Sequence, residues 1–126
     1  MVDELRRGRK SSHWMWFVFP QIAGLGRSEM SRYYAIASLE EARAFLAHPV
    51  LGARLRECAN AVLAAPAARS AEDILGSVDA AKLRSSMTLF RRAVPDDALF
   101  ARVLERFYEG VADPATDALL TARRSG

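Results

Sequence analysis

Lys10, His13, Trp14, Trp16 and Gln21 place a cation, an imidazole, two indoles and a carboxamide within twelve residues. An imidazole can move protons near neutral pH. An indole can stack on a planar ligand such as a nucleobase. Both tryptophans of the chain lie in this stretch, together with one of its two histidines. A second group stands far downstream. Lys82 lies one helical turn ahead of Ser85 at i+3 and Ser86 at i+4, and with Thr88 these make three hydroxyls in four residues of a segment that is otherwise largely apolar. Hydroxyls lower helix propensity, so three in four residues call for a reason. They either let helices pack closely or hydrogen-bond a ligand's phosphate or ribose beside the Lys82 charge. Taken together, Lys10, His13, Trp14, Trp16, Gln21, Lys82, Ser86 and Thr88 are the candidate ligand-binding residues. They are the parts of a pocket for an anionic, nucleotide-like small molecule.

Each group also has a plainer role. Trp14, Trp16, Phe17 and Phe19 can simply nucleate the core. His13 can bond backbone, and His48 before Pro49 reads as a helix-boundary residue. Cys58 falls on an apolar stripe and reads as inert core. The two histidines are 35 positions apart with no carboxylate at ligand spacing, so no metal is expected. No P-loop, dinucleotide fingerprint, nucleophile elbow or zinc motif occurs, and no cofactor is expected. The catalytic residues, if the chain is an enzyme, are not identified by any motif. The lysine and hydroxyls resemble, by analogy alone, N-glycosidases acting on ribosyl nucleotides.

These residues must be positioned by helices. At 126 residues and 51% hydrophobic content, the chain reads as a single domain, residues 1–126, with a short N-terminal segment 1–7 and a frayed tail 123–126. Apolar residues recur at helical spacing almost throughout. Leu51, Leu55, Cys58 and Val62 form one stripe, and Leu83, Met87, Phe90 and Val94 another. Ser38-Leu-Glu-Glu41 and Ser70-Ala-Glu-Asp73 read as helix-opening capping boxes. Pro49 is expected at a first helical position, a helix is expected from about Asp79 to Ala93, and Gly110 is expected to stop the Asp97–Glu109 helix. Asp113-Pro114 is expected to open the last. The expected fold is all-α, a compact array of about seven mostly short helices. Trp14–Phe19 reads as buried helical turns, with a buried strand as the alternative. On a helix the two indoles point about 200° apart, so one can be core while the other faces a pocket.

The net charge is +3. Residues 1–13 carry Arg6, Arg7, Arg9 and Lys10 against Asp3 and Glu4. This asymmetry is mild and lacks the dense stripe of a dedicated nucleic-acid binder. A nucleic-acid or protein-interaction module using those basic residues is the alternative function. No apolar run approaches a membrane span, so no membrane partner is expected. A lone cysteine fits a reducing, cytoplasmic compartment.

Gly8-x-Lys10-x-Ser12-His13-Trp14-Met15-Trp16-Phe17-x-Phe19-Pro20-Gln21 and Gly24-Leu25-Gly26-x-Ser28 together resemble the opening of a bacterial family, domain of unknown function 1810, sometimes labelled calpastatin-like. Tyr34-Ala-Ile36-x-Ser38, His48-Pro49-x-Leu51-Gly52-x-Arg54-Leu55 and Asp79-x-x-Lys82-x-x-Ser85-Ser86-Met87-Thr88-Leu89-Phe90 are similar to it as well. The resemblance implies a compact all-α domain and supplies no activity. It also implies a longer N-terminal helix than the residues before Gly8 provide. Either the start is misassigned or the first helix is lost, and a lost helix would leave an apolar groove open to another chain.

Overall fold

The structure, a computed structural model, describes residues 18–25, 29–66 and 68–125. Among the described residues the regular structure is all helical. It comprises α1 (Glu29–Tyr33), α2 (Leu39–Ala47), α3 (Leu51–Leu63), α4 (Ala71–Leu75), α5 (Ser77–Ala93), α6 (Ala98–Tyr108) and α7 (Pro114–Ser125). The one extended pairing is an isolated parallel bridge between Ile22 and Ile36. It ties the segment after Pro20 to the loop before α2.

Local chemistry sets most helix starts. Ser70 and Asp73 satisfy each other's backbone amides at 3.1 and 3.0 Å, a complete capping box. Those bonds hold the exposed Asp73 carboxyl below its ordinary value. Ser38 accepts from the Glu41 amide, but the Glu41 carboxylate reaches one residue further back, to the Ala37 amide. At α3 the expectation fails in detail. Pro49 is not helical; His48 Nδ1 accepts from the Val50 and Leu51 amides, both at 3.1 Å, and the helix opens at Leu51. Histidine supplies the oxygen-like acceptor that Val50, as N-cap, cannot.

The helix expected from Asp79 begins at Ser77 instead. Gly76 alone separates α4 from α5, with φ 85° and ψ 160°, a conformation essentially reserved for glycine. It ends one helix and starts the next. At the end of α6, Glu109 takes the left-handed conformation and Gly110 follows it. The Gly110 amide then donates to Leu104.

The core is built around α5, which packs against α2, α4, α6 and α7. Leu83, Met87 and Phe90 are fully buried, as their spacing requires, and Val94 is half-buried at the rim. The Phe90 ring lies 5.7 Å from both Phe45 of α2 and Phe100 of α6, joining three helices at one point. On α3, Leu55, Cys58 and Val62 are buried and Leu51 is half-buried. Burial pushes the Cys58 thiol up to about 11, so this cysteine is inert core. Val18 and Phe19 are also core, which gives the end of the aromatic run its plainer role. The C-terminus of α3 is closed from outside. Arg106 of α6 donates to the carbonyls of Val62, Leu63, Ala65 and Pro66 while its guanidinium lies 4.3 Å from the Phe107 ring.

Candidate functional site

Central α5 carries the downstream candidates, and it divides them between two faces. Ser85 and Thr88 turn towards the loop that precedes α7. Ser85 Oγ donates to Asp113 Oδ2 at 2.9 Å, and Thr88 Oγ1 accepts from the Asp113 amide at 2.9 Å. Thr88 also bonds the Arg84 carbonyl, and Ser85 lies 3.2 Å from the Ala81 carbonyl. The same Asp113 oxygen takes Thr116 Oγ1 at 2.6 Å and the Thr116 amide at 3.1 Å, opening α7. Arg84 secures the loop from the side through the Val111 and Ala112 carbonyls. Thr88 is therefore committed to holding the loop onto α5.

Ser86 differs. It is fully buried, and its Oγ has no hydrogen-bond partner among the described residues. It shares a helical face with Lys82 at i−4 and Asp79 at i−7. The Lys82 ammonium lies 3.7 Å from Asp79 Oδ1, an ion pair without a close hydrogen bond, and its side chain keeps 25% exposure. That face thus holds an accessible charge one turn from an unsatisfied hydroxyl.

Gln21 is half-buried at the Ile22–Ile36 bridge, where its carbonyl accepts from the Ile36 amide at 2.8 Å. Gly24, with φ 106°, brings the backbone against Leu119 of α7, 3.3 Å from where a Cβ would sit. Lys10, His13, Trp14 and Trp16 lie outside the described residues, as do Arg6, Arg7 and Arg9. Among the described residues no cluster of histidine, cysteine and carboxylates could hold a metal ion. No helix among the described residues is long and apolar enough to cross a membrane.

The structure adds a feature that spacing does not signal. Arg43 of α2, Arg56 of α3 and residues 93–98 between α5 and α6 line an open cleft of about 650 Å³. Arg43 Nε donates to the Ala93 carbonyl at 2.8 Å. Arg56 pairs with Asp97, whose other oxygen caps α6 through the Leu99 amide at 3.0 Å. Burial opposes the Asp97 charge, but the Arg56 and Leu99 hydrogen bonds outweigh it, and the carboxyl sits below its ordinary value. These residues are far apart in the chain, and only the fold brings them together. A second pair, Arg92–Asp117, is bidentate and fastens α5 to α7 at 2.9 and 3.0 Å.

Comparison with known proteins places this architecture. A crystal structure of the conserved hypothetical protein Rv1873 from Mycobacterium tuberculosis is similar to the chain at 52% identity, with a TM-score of 0.92. The match covers 95% of this chain and 85% of that one. No curated protein matches. The model of a family described as protein of unknown function (DUF1810) matches residues 1–120. That match over nearly the whole length leads to one assignment: the chain belongs to the DUF1810 family of proteins of unknown function.

Proposed function

We propose that the chain binds an anionic, nucleotide-like small molecule at the face of α5 that carries Lys82 and Ser86. The observation that supports this is the Ser86 hydroxyl, buried completely and left without a partner one turn from a lysine. Buried polar groups are almost always paired, so an unpaired one beside a charge marks a place where a ligand can supply the missing acceptor. A ligand phosphate would replace Asp79 at Lys82, and a phosphate or ribose oxygen would accept from Ser86 once the groups that cover this hydroxyl are displaced. Lys10, His13, Gln21 and the indoles of Trp14 and Trp16 complete the proposed pocket as further charge, proton donor and stacking surface. The chemistry that suits such a ligand is hydrolysis of an N-glycosidic bond. Water adds at the anomeric carbon, the bond to the base nitrogen breaks, and the departing base takes a proton.

A thermal-shift series with nucleotides and ADP-ribose tests binding, because a ligand that binds only the folded chain raises its melting temperature by mass action. The expected result is a concentration-dependent rise with at least one of these compounds that Lys82→Ala abolishes. Equal shifts in wild type and Lys82→Ala, or none with any of them up to millimolar concentration, refute the proposal. Chromatographic release of free base from the bound compound tests the hydrolysis separately.

A further inference from the structure

The cleft between α2, α3 and the 93–98 turn is lined by neither Lys82 nor Ser86. Its two guanidiniums are each anchored along one edge. Arg43 is held through Nε on the Ala93 carbonyl, and Arg56 through Nη1 on the Asp97 carboxylate. Their charges differ in consequence. Asp97 neutralises Arg56, whereas the Arg43 partner is a carbonyl, which cancels no charge. Both Arg43 terminal nitrogens keep their donors. A guanidinium already fixed in place loses less freedom on capturing a ligand than a free side chain does.

The rest of the lining narrows the chemistry. Val94, Pro95 and Ala98 are apolar, and Asp96 is exposed among them. The two arginines and two aspartates of the lining balance, and Arg43 is the guanidinium that no carboxylate holds, so a phosphate dianion would set two charges against Asp96 with one such guanidinium to meet them. A single carboxylate matches the one free fork. The volume of about 650 Å³ exceeds what a bare carboxylate fills and falls in the range of small-molecule sites. The geometry points to a binding site for a small monocarboxylate with an apolar body, gripped by the free edge of Arg43 and flanked by Val94 and Pro95. This site is distinct from the Lys82–Ser86 face, and neither stands or falls with the other.

Sodium benzoate is the probe. In an amide NMR titration at fixed ionic strength, it is expected to give saturable shifts centred on Asp96, Asp97 and Ala98, while sodium phosphate and sodium chloride give none that saturate. Arg43→Gln is expected to weaken benzoate at least tenfold, the loss of a bidentate charge-assisted contact. Among the described residues Asp96 makes no hydrogen bond or ion pair, so Asp96→Asn is expected to leave the fold intact, to tighten benzoate severalfold and to admit phosphate. Shifts that never saturate, phosphate binding the wild type as tightly as benzoate, or affinities unchanged by both substitutions overturn the inference.

Discussion

Replacing Ser86 with alanine is expected to make the ligand-free protein more stable. The serine hydroxyl is fully buried and unpartnered. A buried polar group in that condition costs about 1–3 kcal/mol. Alanine is also the better residue inside a helix, by roughly 0.5 kcal/mol. Against this stands the lost packing of a single oxygen atom, worth a few tenths of a kcal/mol at most on the scale of pairwise dispersion contacts. The balance favours Ser86→Ala by about 1–3 kcal/mol. For a chain of 126 residues, that corresponds to a rise in Tm of roughly 3–5 °C per kcal/mol. Calorimetry, or urea unfolding with an unchanged m-value, reads the difference directly. If the proposed site is correct, the same variant gains stability alone yet loses the rise that a nucleotide-like ligand gives. A purely structural serine would not show that crossing. A Ser86→Ala protein less stable than wild type by 1 kcal/mol or more would refute the reasoning, since it would mean the hydroxyl has a bond to lose.

Two further predictions test the frame around the site. A Cβ at Gly52 would stand 2.0 Å from the Leu46 carbonyl oxygen, 2.7 Å from its carbon and 3.0 Å from its Cα, all backbone atoms. Gly52→Ala is therefore expected to destabilise by roughly 1–3 kcal/mol by overpacking, despite a gain of about 1 kcal/mol in helix propensity; a more stable variant on denaturant unfolding would refute the close approach of α2 and α3. Asp97 and Asp117 both lie below the ordinary 3.8, Asp117 chiefly through its Arg92 hydrogen bond. A carboxylate with a depressed folded pKa stabilises fully above its unfolded value and loses that contribution as pH falls towards the folded one. Urea midpoints should therefore be flat between about pH 7 and 5 and drop below about pH 4, with a shallower drop in Arg92→Gln, and an identical acid limb in that variant would contradict it.

The fold was largely legible because its signals are local. The Ser70 box, the apolar stripes of α3 and α5, and Asp113 before Pro114 are all written within a few residues of where they act. His48 was recognisable as a boundary residue. Its role as the cap of α3 was not, because proline at the first helical position is the commoner device. The site was less legible for a different reason. Ser85, Ser86 and Thr88 look equivalent in sequence, yet helical phase turns two of them to Asp113, 25 to 28 residues away, and leaves one unpaired. The Arg43–Arg56 cleft gave no sequence signal, since the groups the two arginines hold, the Ala93 carbonyl and Asp97, lie 50 and 41 residues further along the chain. The closing of α3 by Arg106, across about 40 residues, is equally long-range. Two like hydroxyls at i and i+3 facing a later Asp-Pro was the one available clue to the loop anchor.

Asp113 has a consequence for how this chain can change over evolutionary time. One of its carboxylate oxygens serves Ser85 and both donors of Thr116, while its own amide serves Thr88. Losing the carboxylate removes the shared acceptor of Ser85 and Thr116 at once, leaving Ser85 only the Ala81 carbonyl at 3.2 Å, whereas Thr88 keeps the backbone amide of position 113 and the Arg84 carbonyl; losing one hydroxyl spares the others. Substitution is therefore asymmetric. The hydroxyl positions can drift one at a time through small residues, but the aspartate is replaced without cost only after Ser85 and Thr116 have become apolar. The order in which those positions diverge among descendants is thus fixed by a single oxygen atom.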